Sequence, residues 1–455
     1  MIENKKFNYN SIEEFMEAVR DMELELPFSE DISILKEPLV INNKKILNRL
    51  GINPMEGCDG TLGGKPDELT IRRYERFASG GAGLMWVEAS AVVNEGRANP
   101  NQLFISRENQ IAFTMLVNNI NEASRKEYGD SFASYNVIQL THSGRYSRTD
   151  NNPIPMIAVS NPYLDKFLPS KYTIISDTEL EILENAYVQA AVIARECGFD
   201  AVDIKSCHGY LNSELLSSFT REGRYGGSFE NRTRFLLNII DKINGLPGKK
   251  IDITLRINVY DAIPYPYGWG VDKKDFRKPD LTEPIKLIEI LQAKGIKLIN
   301  LTCGNPYYNP HVGRPYDTGS YIPPNHPLVG VAKMLNIIKE IQQSVPEMLV
   351  VATGFSWFRE YAPFIAAGGI KEGWFKIAGF GRQAFAYPDF ARDILKEGKM
   401  DRKKCCIACS KCSEIMRDRG KTGCVIRDNS VYGSIYKAGR QGKVSLIGSH
   451  EAEHI

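Results

Sequence analysis

Lys205, Ser206, Cys207, His208, Gly209 and Tyr210 bring an amine, an imidazole and a phenol within six positions. A lone histidine is more often structural than catalytic, but three proton-active groups together shift that balance. Cationic or imidazole donors aimed at a carbonyl oxygen stabilise a developing enolate, and a neighbouring tyrosine can hand over a proton. The plainer role for Lys205 is a pair with Asp203, two residues back on the same side of an extended strand. A second group is Cys406, Cys409 and Cys412 at two-residue gaps, followed after eleven intervening residues by Cys424. Three bunched sulfurs with one distant sulfur point to a [4Fe-4S] cluster. Structural zinc more often uses two separated pairs, and zinc or no metal stand as the alternatives. Cys405 is spare.

Arg256 interrupts the apolar run IDITLRI, while Gln139 closes the run FASYNVIQL. A buried guanidinium is costly unless it faces an anion or a ligand carbonyl. A reduced flavin, negative on its pyrimidine side, is such a partner, and an internal salt bridge to Asp203 is the other. Further on, Thr353-Gly354-Phe355 and Gly379-Phe380-Gly381-Arg382 suit a phosphate: glycine lets backbone N–H groups approach, and arginine adds a fork of donors. Turn formation alone is the bland alternative. Gly379, Gly381 and Ala384 also spell GxGxxA, but Pro388 interrupts the long helix that a dinucleotide-binding turn must open.

The elements needed to position these groups are legible as eight strand candidates: 46–53, 83–90, 132–140, 200–206, 251–257, 296–302, 348–353 and 374–379. They alternate with helical stripes. Ser176 and Glu179 form a capping box opening one helix that Gly198 stops, and Ser228 starts another that ends near Gly245. Residues 38–46 read as a hairpin turning at Asn42 and Asn43. Eight β/α repeats with the polar groups gathered past one end of the strands specify an α/β fold, a (β/α)8 TIM barrel; a doubly wound open sheet is the runner-up. The expected organisation is a lead-in helix over 1–37, a barrel over 38–398 and a small cysteine-rich, iron-sulfur-binding extension over 399–455.

Composition sets the outer bounds. Of 455 residues 43% are apolar and 25% charged, as in a soluble globular enzyme, and the net charge of +2 gives no footprint for nucleic acid or an anionic membrane. No run of about 18 apolar residues and no signal peptide is present, so the expected location is the cytoplasm, where clustered cysteines ligate metal instead of forming disulfides.

With these residues in hand, the chain resembles the old yellow enzyme family of flavin oxidoreductases, in particular the iron-sulfur branch that includes 2,4-dienoyl-CoA reductase. The resemblance rests on Asn53-Pro54-Met55, residues 80–84 (GGAGL), 139–145 (QLTHSGR), 208–211 (HGYL), 223–235 (GRYGGSFENRTRF) and 381–382. It implies FMN at the strand C-termini, with Pro54, Met55 and Ala89 lining the flavin, Gln139 and Arg256 on its pyrimidine edge, and Gly354, Gly381 and Arg382 at its phosphate. Glu56 stands where a threonine or cysteine commonly sits near the flavin. Tyr210 matches the proton donor and His208 the second carbonyl-anchoring position, while Lys205 replaces the first anchoring histidine. His311, from the loop after strand six, fits a substrate-facing place, and Tyr307 belongs to an aromatic group (Tyr260, Tyr265, Tyr267, Trp269, Tyr308) suited to a flat ligand.

The implied reaction is reduction of the activated C=C bond of an enone, enoate, enoyl thioester or steroid enone. The alternatives are an amine dehydrogenase or demethylase and a non-redox barrel lyase with a zinc appendage. Larger relatives continue into FAD and NADPH domains, whereas this chain ends at Ile455. Electrons are therefore expected from NAD(P)H docking at the flavin or, preferentially, from a partner protein through the cluster.

Overall fold

Strands buried on both faces read as unbroken apolar runs, and eight such runs form the wall of a closed parallel barrel. They are β1 Leu50–Ile52, β2 Leu84–Ala91, β3 Tyr135–Thr141, β4 Ala201–Ile204, β5 Asp252–Tyr260, β6 Leu298–Cys303, β7 Leu349–Ala352 and β8 Ile377–Phe380. Each pairs with its chain neighbours, and Phe380 opposite Ile52 closes β8 onto β1. This computed structural model describes residues 6–150 and 152–442; residues 443–455 of the expected extension lie outside them. Among the described residues no helix is long and apolar enough to cross a membrane.

A helix follows every strand: α1 Glu68–Ser79, α2 Gln110–Tyr128, α3 Asp177–Cys197, α4 Phe229–Asn244, α5 Thr282–Ala293, α6 Pro327–Ser344, α7 Ala362–Lys371 and α8 Phe390–Glu397. The Ser176–Glu179 capping box opens α3, and Gly198 ends it in the left-handed region (φ 94°). Ser228 caps α4. The hairpin pairs Leu39–Ile41 with Lys44–Ile46. The GxGxxA turn opens only the five-residue helix Arg382–Ala386, which rules out a dinucleotide-binding unit there.

Two of the strands that outrun the sequence reading carry candidate site residues. β5 continues to Tyr260 and β3 to Thr141, so Arg256 and Gln139 lie inside their strands instead of ending them. The cause is that Asn258 and Tyr260 stay buried in the wall: Asn258 donates to the Gly304 carbonyl (2.6 Å) and the Tyr260 hydroxyl to the Phe276 carbonyl (3.0 Å).

Both flanking segments are locked onto the barrel. The helix Ile12–Asp21, capped by Ser11, buries Phe15 against Tyr361 and Phe358, and the Phe7 amide donates to Asp317. The extension folds as two helices, Lys411–Arg417 and Asn429–Arg440. It is tied to α1 through Arg72 and Asp428 (2.7 Å), and to the barrel mouth through the Thr422 amide on the Gly57 carbonyl (2.6 Å) and the Cys406 amide on Gln383 Oε1 (3.0 Å).

Candidate active site

The C-terminal ends of the strands converge on one mouth, and the first feature there is a set of cations without counterions. Arg256 is 7% exposed, and its Nε makes no hydrogen bond. Asp203 does not pair with it: Oδ2 accepts from Trp86 Nε1 (2.8 Å) and Gln139 Nε2 (2.6 Å), and Oδ1 takes the Arg256 backbone amide (2.7 Å). Burial raises the Asp203 pKa to about 6 against those donors, and burial pulls the guanidinium of Arg256 down. Arg382 is also buried; Nη2 donates to the Pro315 carbonyl (2.7 Å), whereas Nη1 has no partner.

The glycines beside these cations are used as glycines. Gly354 holds φ 106°, and a Cβ on Gly381 would sit 3.0 Å from the sulfur of Met55. Pro54 and Ala89 are buried next to this cradle in sequence, at the end of β1 and in β2.

Opposite lies the proton-active group. The loop after β4 delivers Lys205, His208 and Tyr210, and the loop after β1 delivers Glu56. Glu56 Oε1 is 3.1 Å from both Lys205 Nζ and the Tyr210 hydroxyl, so Lys205 pairs with Glu56 and not with Asp203. Lys205 Nζ also stands 3.5 Å from the Tyr210 ring centre, a cation–π contact. Tyr307 reaches in from the loop after β6, its hydroxyl 3.1 Å from that of Tyr210. Burial first, then the Glu56 charge, raises the Tyr210 pKa, which keeps the phenol protonated. Burial and the cations Arg256, Lys205 and Arg314 push His208 well below its usual value, leaving a neutral imidazole.

Other expected residues are placed elsewhere. His311 bonds Tyr321 through Nδ1 (2.5 Å) instead of joining the Tyr210 group. Of the aromatic wall only Tyr307 meets Tyr210: Trp269 stacks on Phe229, while Tyr265 meets Phe219 and Tyr267 meets Tyr163 edge to face. Sequence reasoning missed Tyr146, which stacks on Tyr307 at 3.8 Å and bonds Asn305. Its signal was its place directly after the QLTHSGR motif.

The four expected sulfur ligands line one cavity together with Arg382, Lys411 and Arg427. The Ala408 amide donates to Cys406 Sγ (3.4 Å) and the Arg427 amide to Cys424 Sγ (3.3 Å). Ala408 and Ser410 hold positive φ (49° and 59°), which winds the loop tightly around Cys409. Cys405 turns away, its thiol on the Asp401 carbonyl. Among the described residues no three His, Cys, Asp or Glu side chains gather as ligands of one ion.

A closed (β/α)8 barrel is the fold of the old yellow enzyme class. Within that class the chain belongs to the NADH:flavin oxidoreductase / NADH oxidase family, which residues 35–299 match. It is 32% identical over 229 residues to an NADPH dehydrogenase of Clostridium acetobutylicum (50% of this chain, 64% of the relative). It is likewise 32% identical over 277 residues to an NADPH dehydrogenase of Geobacillus sp. (strain WCH70) (60% and 73%). Its fold is similar to 2-naphthoyl-CoA reductase in complex with 2-naphthoyl-CoA (TM-score 0.72, 20% identity, 89% of this chain and 58% of that one). It is also similar to histamine dehydrogenase from Rhizobium sp. 4-9 (TM-score 0.66, 19% identity, 88% and 53%). The chain thus spans less than two thirds of the first relative and of these two structures.

Proposed function

We propose that the protein is an FMN- and [4Fe-4S]-dependent reductase of the activated C=C bond in an α,β-unsaturated carbonyl compound, working in the cytoplasm. The observation that carries this reading is a buried, protonated phenol (Tyr210) at the same barrel mouth as a buried guanidinium (Arg256) whose Nε makes no hydrogen bond. The second needs an anionic or carbonyl-bearing ligand beside it, and the first has a proton to give. FMN fits these residues: Arg256 and Gln139 would hold its pyrimidine edge, Met55 and Ala89 would line its ring, and Gly354, Gly381 and Arg382, whose Nη1 has no hydrogen-bond partner, would hold its phosphate. When bound, FMN supplies the hydride for the β carbon.

The chain's own residues do the rest. Neutral His208 donates a hydrogen bond to the substrate carbonyl oxygen, which lets enolate charge develop there. Tyr210 holds the proton for the α carbon, and Tyr307 fixes the direction of its hydroxyl.

For the extension, two backbone N–H groups on sulfur and a cavity walled by four cysteines suit a cuboidal cluster, whose ligands bind separate irons and so stand apart. The family and its NADPH dehydrogenase relatives support NAD(P)H as reductant, and a cluster adds a one-electron route from a carrier protein. Oxygen-free purification with an absorbance spectrum and iron and sulfide analysis tests both cofactors. Reoxidation of the reduced flavin by an enone is the result expected; bleaching of the oxidised flavin by an amine instead reverses the assignment.

A further inference from the structure

Glu56 is the one carboxylate that touches Tyr210. It enters from the loop after β1, is 14% exposed, and places a single oxygen 3.1 Å from two donors, the ammonium of Lys205 (3% exposed) and the hydroxyl of Tyr210. The nearest other acid of the wall, Asp203, is spent on Trp86, Gln139 and the Arg256 backbone. Lys205 therefore does not present a bare positive charge to the mouth. Lysine and carboxylate form a neutral pair, and the side of that pair turned to the Tyr210 hydroxyl is anionic.

Resting on the ene-reductase reading above, we propose that Glu56 sets the charge class of the substrate: the seat beside Tyr210 takes neutral carbonyl compounds and rejects carboxylates. A substrate carboxylate reaching for the Tyr210 hydroxyl or the Lys205 ammonium must share those donors with Glu56 Oε1. Two carboxylates on one donor set repel each other, and Lys205 is the cation that Glu56 already pairs, whereas Arg256 and Arg314 bear on His208 instead. Arg256 lies with Asp203 and Gln139, Arg382 with the Pro315 carbonyl, and both are assigned to the flavin. A neutral carbonyl oxygen meets no such penalty. It accepts from His208 and from the N–H bonds that Lys205 does not give to Glu56, and it leaves the Tyr210 proton available. Of the four acceptor types suggested by the sequence, enoates are excluded, whereas enones, steroid enones and enoyl thioesters with the reacting carbonyl neutral remain.

The test uses benzamide and benzoate, a neutral and an anionic ligand of one shape, titrated into the FMN-loaded full chain and read by the change in flavin absorbance. The expected order in the unsubstituted protein is benzamide tighter than benzoate by roughly tenfold to a hundredfold, the scale of one partly screened like-charge contact. Glu56→Gln removes the anion and should erase or invert the ratio, and Lys205→Met leaves Glu56 uncompensated and should widen it. Equal affinities in the unsubstituted protein, a ratio unmoved by Glu56→Gln, or binding of neither ligand overturns the inference. Reoxidation of the reduced flavin by cyclohex-2-enone, run on the same preparation, keeps the two proposals apart. Enone reduction with an unmoved ratio overturns the role of Glu56 alone. A ratio that moves as expected without enone reduction overturns the reaction and leaves Glu56 as a discriminator of ligand charge.

Discussion

Replacing Arg256 by methionine separates a cofactor-binding arginine from a structural one, because the two roles predict opposite signs in two measurements. The guanidinium is 7% exposed, its Nε is unpartnered, and the only carboxylate nearby accepts from the Arg256 backbone instead of the side chain. An uncompensated buried ion carries an effective desolvation penalty of several kcal/mol, and methionine fills most of the same volume without it. The flavin-free protein should therefore melt no lower, and by this reasoning higher, after the substitution. The bound state should behave in the opposite way. Losing a charge-assisted hydrogen bond to the flavin costs about 1.5–3 kcal/mol, so the Kd for FMN should rise roughly tenfold to a hundredfold. Thermal melts of the stripped protein and quenching of flavin fluorescence on titration read the two quantities. A variant that melts lower without FMN and still binds FMN with unchanged affinity refutes the reasoning, since Arg256 would then serve the fold.

Three other substitutions probe the remaining parts. Tyr210→Phe should retain FMN and slow enone reduction by about 10²–10⁴-fold, the usual worth of a positioned general acid; an unchanged rate of flavin reoxidation in rapid mixing would assign the proton to another group. Cys424→Ser should lower iron and acid-labile sulfide together while the barrel keeps its flavin, and stoichiometric zinc in the unsubstituted protein would contradict the cluster. Burial pulls the His142 pKa down to about 4, and its Nδ1 accepts the Gly144 amide (3.1 Å). The unfolded chain takes up that proton near pH 6.5, the folded one only near pH 4, so stability falls as pH drops through this window, by up to ~3 kcal/mol. His142→Gln, which keeps an acceptor for Gly144, should flatten the melting temperature against pH there, and a curve as steep as before would place the titration elsewhere.

The barrel was legible because parallel strands buried on both faces leave apolar runs, and because caps such as Ser176 with Glu179 act locally. What escaped was long-range. Asp203 is the obvious partner of Lys205 along one strand, but closure of the barrel brings Glu56, 149 positions away, to its ammonium. The same closure leaves the Nε of Arg256 without a hydrogen bond, which sequence could pose only as a choice between a ligand and a salt bridge. Tyr146 became visible only once the loop after β6 laid Tyr307 on it. Strand ends failed for a related reason: a polar residue such as Asn258 looks like an exit from the wall until its buried acceptor is known.

The extension is more than an appendage, because three mouth loops hold it and the same three loops hold the candidate chemistry. After β1, Glu56 meets Lys205 and Tyr210 while the next residue, Gly57, accepts the Thr422 amide. After β6, Tyr307 meets Tyr210, Arg314 donates to Ser413, and the Asp317 amide bonds the Ala408 carbonyl inside the cysteine loop. After β8, Arg382 lines the cysteine cavity and Gln383 holds the Cys406 amide. Each bond alone contributes on the order of 1 kcal/mol, but together they fix one arrangement of both regions, since a shift of the cysteine loop strains the residues that seat Tyr210. The proton donor and the sulfur cradle are therefore positioned by one set of contacts, which sequence could show only as separate motifs.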